Sequence, residues 1–234
     1  MGDYLIRVIA EIGVNWNSLD IAHGMIRAAS QAGCSYCKFQ LFNKNTIASS
    51  SLKDKLTELI LTESDVKELA QTAKRNKIGL ILTPMYLEAV DIADKYGTDF
   101  IKIRYDDREN IELISKAQDT GKKVLISMPY MPLEPHRMFN PCFRYFYCIP
   151  KYPPEFEDFR LEVACTMHGF SSHYPNFICD IAYAINRIHK DAMIEKHVKL
   201  NNNCIDAKVS VPFNKLADFI KQLQAIEKFQ RLRI

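Results

Sequence analysis

The sequence predicts a (β/α)8 barrel, a TIM barrel, and three observations carry the prediction. Eight short apolar runs alternate with amphipathic stretches of helical period, as parallel strands joined by crossover helices do. The 234 residues match one such barrel, and no linker, internal repeat or low-complexity tract divides 1–234 into more than a single domain. Polar side chains recur at the strands' C-terminal ends, the rim where this architecture builds its sites.

The first strand, Arg7 to Gly13, alternates so that Ile9, Glu11 and Gly13 share a face. Ser18 caps a helix from Leu19 to Gln31, which Gly33 ends. In the second strand, Ser35 to Leu41, Tyr36, Lys38 and Gln40 lie on one face. An unpaired lysine there is too costly to bury, unless Lys38 reaches water from the strand end. A polar loop and a short helix follow; then Thr62 or Ser64 caps a helix running to about Asn76. The third strand, Gly79 to Pro84, ends in Thr83 and leads to a helix from Leu87 to Tyr96. The fourth, Phe100 to Arg104, aligns Lys102 with Arg104. A helix over Arg108 to Thr120 precedes the fifth strand, Lys123 to Met128, which ends in Ser127.

Four prolines between Pro129 and Pro141 exclude a useful helix, so a proline-rich loop is expected in place of the helix after strand five. The sixth strand is Phe143 to Ile149. Tyr152-Pro153-Pro154 and a short helical turn lead to the seventh, where an apolar run from Cys165 to Phe170 ends in Ser171-Ser172-His173. A helix within Asn176 to His189 connects to the eighth strand, Ala192 to Ile194 followed by Glu195-Lys196-His197. An amphipathic helix from Pro212 to Phe229 comes last.

Lys plus Arg number 31 against 28 Asp plus Glu. So slight a bias gives no indication of nucleic acid, and a modest basic excess suits a small anionic substrate. The seven cysteines are scattered. Cys34 and Cys37 match CxxC, but residues three apart on a strand face opposite sides, which argues against a paired thiol site. With no signal-peptide pattern and no apolar run long enough for a bilayer, a soluble, cytoplasmic protein without membrane contact is expected.

Collected together, the strand-end residues say more than any one of them. Glu11, Lys38, Gln40, Thr83, Lys102, Ser127, Ser171, His173, Glu195 and His197 converge on one mouth if the strands close in order. Two lysines with small hydroxyls suit a phosphate or carboxylate. Two histidines beside an acid suit a divalent metal that polarises a carbonyl. An inert barrel would fill these positions with aliphatic side chains.

Six stretches resemble the sialic acid (N-acetylneuraminate) synthase family in order and spacing: Ala10-Glu-Ile-Gly-Val-Asn15, Cys37-Lys-Phe-Gln40, Leu82-Thr-Pro84, Ile101-Lys-Ile103, Gly169-Phe-Ser-Ser-His173 and Ile194-Glu-Lys-His197. The resemblance covers the catalytic barrel, without the C-terminal antifreeze-like domain of full-length members. It implies a phosphoenolpyruvate-dependent, metal-assisted condensation with an aldose or N-acyl amino sugar, giving a nonulosonic or related 2-keto-3-deoxy acid and phosphate. It implies His173 and His197 as ligands of a divalent metal, manganese with magnesium as the alternative. Lys38, Thr83, Lys102, Ser127 and Ser171 would hold phosphoenolpyruvate, and Glu11, Gln40 and Asp206 would face the sugar, with Tyr152 as a pocket tyrosine. The implied catalytic residues are Glu11, Lys102 and Asp107, the last with Asp106 as its neighbour.

Departures from the family pattern set the expectation of a changed acceptor. Arg104-Tyr105 stands where Gly and Ser are usual, and Arg104 offers a new anion contact. Trp16 replaces a histidine, Pro150 an amide residue, and Ser172 the acid before the metal histidine. A smaller or different acceptor than N-acetylmannosamine is expected, with a homodimer or a partner protein supplying a lid. The alternatives are another carbon–carbon lyase or synthase on this barrel, or a non-catalytic sugar-binding or assembly subunit.

Overall fold

In the computed structural model, which describes residues 6–134, 137 and 140–231, eight parallel strands run in chain order and close through pairing of the first with the eighth. They are β1 (Arg7–Gly13), β2 (Tyr36–Leu41), β3 (Gly79–Pro84), β4 (Phe100–Ile103), β5 (Lys123–Met128), β6 (Phe143–Cys148), β7 (Gly169–Ser172) and β8 (Met193–Lys199). A two-residue β9 (Val211–Pro212) pairs with the end of β8. Around them lie α1 (Leu19–Gln31), α2 (Lys53–Thr57), α3 (Glu63–Arg75), α4 (Leu87–Tyr96), α5 (Ile111–Asp119), α6 (Leu161–Ala164), α7 (Ile178–Asn186) and α8 (Phe213–Arg231). The expected TIM barrel is the fold observed.

Local chemistry sets the helix ends. Ser18 accepts from the Ile21 amide, and Thr62 forms a reciprocal capping box with Asp65, so Thr62 rather than Ser64 starts α3. Two expected boundaries are corrected. The helix predicted from Arg108 begins at Ile111, because the Asn110 side chain caps the Leu113 amide and Tyr105–Asp107 forms a separate 3-10 turn. Residues 165–168 turn instead of extending, and β7 starts at Gly169. Of the expected proline-rich loop, residues 129–134 carry neither helix nor strand, but Arg137 is helical, its amide donating to the Glu134 carbonyl, so the expectation of a loop in place of any helix is corrected there; 135, 136, 138 and 139 lie outside the described residues.

Strand alternation divides the core in two. Outward-facing residues such as Val8, Ala10, Phe39, Leu82 and Ile194 pack under the helices. Inside the barrel, Ile9, Ile81, Phe100, Leu125, Phe146 and Met193 form a separate apolar plug. Full burial of each such side chain contributes roughly 1.5–3 kcal/mol. Gly169 makes room for this plug: a Cβ there would lie 2.6 Å from the Phe146 ring. Two positions further along each strand, the same inward face turns polar. That step from apolar plug to polar layer places the site.

Behind the barrel wall, Lys196 pairs with Asp180 at 2.9 Å, both without exposed side-chain surface. Lys196 also donates to Ser172 Oγ and to the Asn176 carbonyl. This network ties α7 to the strands that carry Ser171 and Glu195.

Candidate active site

The polar layer sits directly on the apolar plug. Strand register sets Glu11 beside Lys38 on one side and beside His197 on the other, and Ser171 beside Glu195. Glu11, Lys38, Lys102 and Glu195 are each no more than 3% exposed, so their charges must be matched inside the protein. They are matched: Lys38 Nζ lies 2.8 Å from Glu11 Oε2 and 3.7 Å from Glu195 Oε1, and Lys102 Nζ lies 3.4 Å from Glu195 Oε2. Small hydroxyls complete the layer. Lys38 donates to Thr83 at 3.1 Å, Lys102 to Ser127 at 2.6 Å, and Ser171 to Glu195 at 2.8 Å. Lys38 therefore does not escape to water from its strand end.

The two lysines differ electrostatically. Burial alone would lower the Lys38 ammonium, yet Glu11 and Glu195 together hold it above the usual lysine range. Lys102 is pushed down by burial, which Glu195 offsets only in part while Lys38 adds to it. Burial would likewise raise Glu195, but Lys102 and Lys38 bring it down to about 2. The layer is thus two cations and two anions in a nearly dry space, where a new anion would interact strongly with whichever cation it reached.

Above the layer stand the two histidines, with ring centroids 5.2 Å apart. His173 Nδ1 lies 2.9 Å from the Ile149 carbonyl, which makes Nδ1 the protonated nitrogen and leaves Nε2 with its lone pair. Burial, with His197 adding to it, pushes His173 down to about 3, so the ring is neutral. His197 Nδ1 is buried without a well-formed hydrogen bond and stands 3.2 Å from Asp206 Oδ2. Two imidazoles, His173 oriented by a carbonyl and His197 standing beside a carboxylate, are a donor set that suits a divalent transition ion. No cluster of three or more His, Cys, Asp or Glu able to hold a metal occurs among the described residues. An ion at this pair would fill its remaining positions with substrate oxygens or water.

A cavity of about 400 Å³ opens over these groups and is lined by Gln40, Arg104, Asp106, Tyr152, His173 and Asp206, among others. Gln40 donates to Glu11 Oε1 at 2.9 Å. Gly13 keeps that corner open, with φ of +50° and only 2.8 Å between a would-be Cβ and Glu11 Oε1. Tyr152 stacks on His173 at 4.1 Å. Asp106 lines the cavity and stands 3.5 Å from Arg104 Nη1, while Asp107 accepts from Arg104 Nε at 2.6 Å.

Other expectations fare differently. Trp16 does not line this cavity: its indole donates to the Gly13 carbonyl, and it faces a neighbouring one. Ser172 points away from the mouth into the Lys196–Asp180 network. Cys148 went unnoticed in the sequence, yet it pairs with Ser171 across the strands, and burial pushes its thiol up to about 11 despite its contacts with Ser127 and Ser171. Two-residue spacing from Phe146 is the signal that marks it as inward-facing. Asn15 was also missed; its amide bridges the Val198 carbonyl and Ser210 Oγ, and its oxygen accepts from the Asp206 backbone.

This layered mouth can now be set beside known proteins. The model of the NeuB family matches residues 25–232. The chain belongs to the NeuB family. A Campylobacter jejuni relative, N,N'-diacetyllegionaminic acid synthase, is 26% identical over 94% of this chain and 76% of its own length. A Helicobacter pylori relative, pseudaminic acid synthase, is 23% identical over 93% of this chain and 73% of its own. Among solved structures, an N-acetylneuraminic acid synthetase from Leptospira borgpetersenii superposes with a TM-score of 0.84 at 21% identity, covering 97% of this chain and 85% of that one. That likeness shows the barrel; the family match shows the lineage. No described helix of this NeuB-family chain is long and apolar enough to cross a membrane.

Proposed function

We propose that this chain joins phosphoenolpyruvate to the aldehyde of an open-chain sugar, releasing phosphate and leaving a 2-keto-3-deoxy sugar acid of the nonulosonic type. The observation that carries the reading is the buried layer of Lys38, Lys102, Thr83, Ser127, Ser171 and Glu195 lying directly beneath the two histidines. Lysines and hydroxyls supply the charge and hydrogen bonds that a phosphate and a carboxylate require. Both lysines are already partnered, so the donor would take over contacts now made by Glu11 and Glu195. Arg104 adds a cation at the rim.

His173 and His197 are the proposed holders of a divalent ion, manganese before magnesium. A bound ion would supply polarisation of the sugar's carbonyl oxygen. The chain's own side chains do the rest. Held by its two anionic groups, the donor presents carbon 3 to the aldehyde carbon, and the new carbon–carbon bond forms as the enol's electron pair moves. Water then adds at carbon 2, and the adduct collapses by cleaving the bond between carbon 2 and the phosphate oxygen. A carboxylate must accept the water's proton; Glu11 on the floor and Asp106 on the rim are the candidates, with Asp107 holding Arg104 in place. Gln40, Tyr152 and Asp206 are assigned to the acceptor.

Phosphate release from phosphoenolpyruvate, with manganese and a panel of aldoses, tests the reading. It stands if release requires both the donor and one of the sugars. It falls if donor alone is hydrolysed at the same rate, or if no sugar supports release.

A further inference from the structure

On the flank of the barrel, towards the end opposite the mouth, a groove of about 610 Å³ runs between α3 and α4 and plays no part in the chemistry above. Its floor is apolar: Ala70 and Ala73 of α3 are too small to fill the space, and Ile78 and Tyr96 complete it. Its rim is cationic. Lys67, Lys74 and Lys77 come from α3 and the turn after it, Lys95 comes from α4, and no Asp or Glu lines the groove among the described residues. Lys95 is matched by Glu63 at 2.8 Å, and Lys67 adds only a long-range pull on that carboxylate. Lys67, Lys74 and Lys77 are exposed, and among the described residues their side chains make no hydrogen bond or ion pair. The whole chain has a formal net charge of only +3, so this concentration of unmatched cations is local.

Lys77 carries its charge at a cost in stability. After α3 the Ile78 amide donates to the Ala73 carbonyl and the Lys77 amide to the Lys74 carbonyl, a closure that sets residue 77 in the left-handed region. Its φ is +54°, and it is the one described non-glycine residue with a positive φ. Glycine is the usual occupant of that position, because a Cβ there crowds the backbone. A strained position held by a charged side chain points to a ligand for that charge.

The spacing indicates the shape of the ligand. Lys67, Ala70, Gln71 and Lys74 follow helical intervals of three, four and seven along one face of α3, so the lysines recur about every 10 Å. A helix laid along the groove repeats its own face at the same interval. It sets carboxylates against Lys67 and Lys74 and an apolar side chain into the notch over Ala70. A flat lipid surface would reach the ammonium groups and not the floor. A nucleic acid backbone would bring charge and nothing apolar. We propose that the groove between α3 and α4 docks an acidic amphipathic helix of a partner protein.

The test uses the full chain and two labelled synthetic peptides of one composition, about five turns long and built from Leu, Ala and Glu. In one, the leucines fall at i, i+3, i+4 and i+7 between flanking glutamates; in the other their order is scrambled. Fluorescence anisotropy should show the ordered peptide binding the parent, less tightly as salt rises, and the scrambled one binding several-fold more weakly. Lys67→Glu with Lys74→Glu should weaken the ordered peptide by roughly tenfold or more, since like charges then face each other. Ala70→Phe fills the notch and leaves every lysine in place, and should weaken it several-fold. Lys77→Gly should also weaken it several-fold while Tm stays level or rises, a split that loss of fold would not give. No binding of the ordered peptide, equal binding of the two peptides, or equal binding by the parent and any of the three variants overturns the proposal. Tighter binding of phosphatidylglycerol vesicles or of a DNA duplex than of the ordered peptide overturns it too, and assigns the lysines to a lipid surface or a nucleic acid.

Discussion

Replacing Lys102 with Met removes one cation from a layer in which every charge is matched. Its ammonium lies 3.4 Å from Glu195 Oε2 with both side chains almost fully buried. At an effective dielectric of ~20 that separation corresponds to about 5 kcal/mol of attraction. Removing one partner of such a pair typically costs about 3–5 kcal/mol, because the other charge is left in a dry site. Glu195 keeps Lys38 at 3.7 Å and the Ser171 hydroxyl at 2.8 Å, so the lower end applies, about 3 kcal/mol. For a domain of this size that is a Tm drop of roughly 6–12 °C. The double variant Lys102→Met with Glu195→Gln removes both charges and should recover most of that loss. Donor binding should behave differently: phosphoenolpyruvate affinity should fall by roughly 2–5 kcal/mol in the single variant and stay low in the double one. Urea denaturation and calorimetry with phosphoenolpyruvate give the two readouts. A Lys102→Met protein as stable as the parent, or with an overlaying donor titration, would refute the reasoning.

Three further outcomes follow from the same structure. His173→Ala and His197→Ala should each lose most affinity for manganese in a calorimetric titration, and an unchanged isotherm in both would remove the histidine pair as the metal site. Asp180→Ala leaves Lys196 buried without its carboxylate and should cost about 3–5 kcal/mol, so a loss below about 1 kcal/mol in urea would contradict the role given to that pair. His168, whose ring stacks on His189 at 4.1 Å, is pushed down to about 4, chiefly by burial, with His189 and Arg144 adding to it. A base with a depressed folded pKa contributes stability that is full above its unfolded value near 6.5 and is lost as pH falls towards 4. With solvent screening of this half-buried ring, the loss from pH 7 to 5 should be on the order of 1–2 kcal/mol. It should be absent from His168→Gln, and equal pH dependence in the two proteins would sink the assignment.

Much of the barrel was legible because it rests on local rules. Period-two alternation in Arg7–Gly13 and a capped, amphipathic Leu19–Gln31 identify their elements without tertiary context. The inward face could be read the same way, since Lys38, Lys102 and Ser127 each follow an apolar plug position or its equivalent by two residues. Partnership could not be read. That Lys38 pairs with Glu11, and Lys102 with Glu195, depends on neighbours 27 and 93 positions apart being brought together, the first pair by the register of β1 on β2 and the second across the closed barrel. The place of Trp16 could not be read either: its indole donates to the Gly13 carbonyl three residues back and lines the cavity beside the mouth, not the mouth itself. Asp107 and Asp106 are indistinguishable in sequence, and only the 3-10 turn shows that both carboxylates face Arg104, Asp107 at 2.6 Å and Asp106 at 3.5 Å, and that Asp106 also lines the cavity.

The central claim is that carbon 3 of phosphoenolpyruvate is joined to a sugar aldehyde and that phosphate leaves with its bridging oxygen. Phosphoenolpyruvate labelled with ¹⁸O at that bridge, incubated with the chain, manganese and the best sugar of the panel, tests it directly by mass spectrometry of both products. The account predicts a keto acid carrying the carbons of both substrates and no label, formed one-to-one with phosphate that has kept the ¹⁸O. Label in the keto acid, or labelled phosphate accompanied by pyruvate and unchanged sugar, would contradict it.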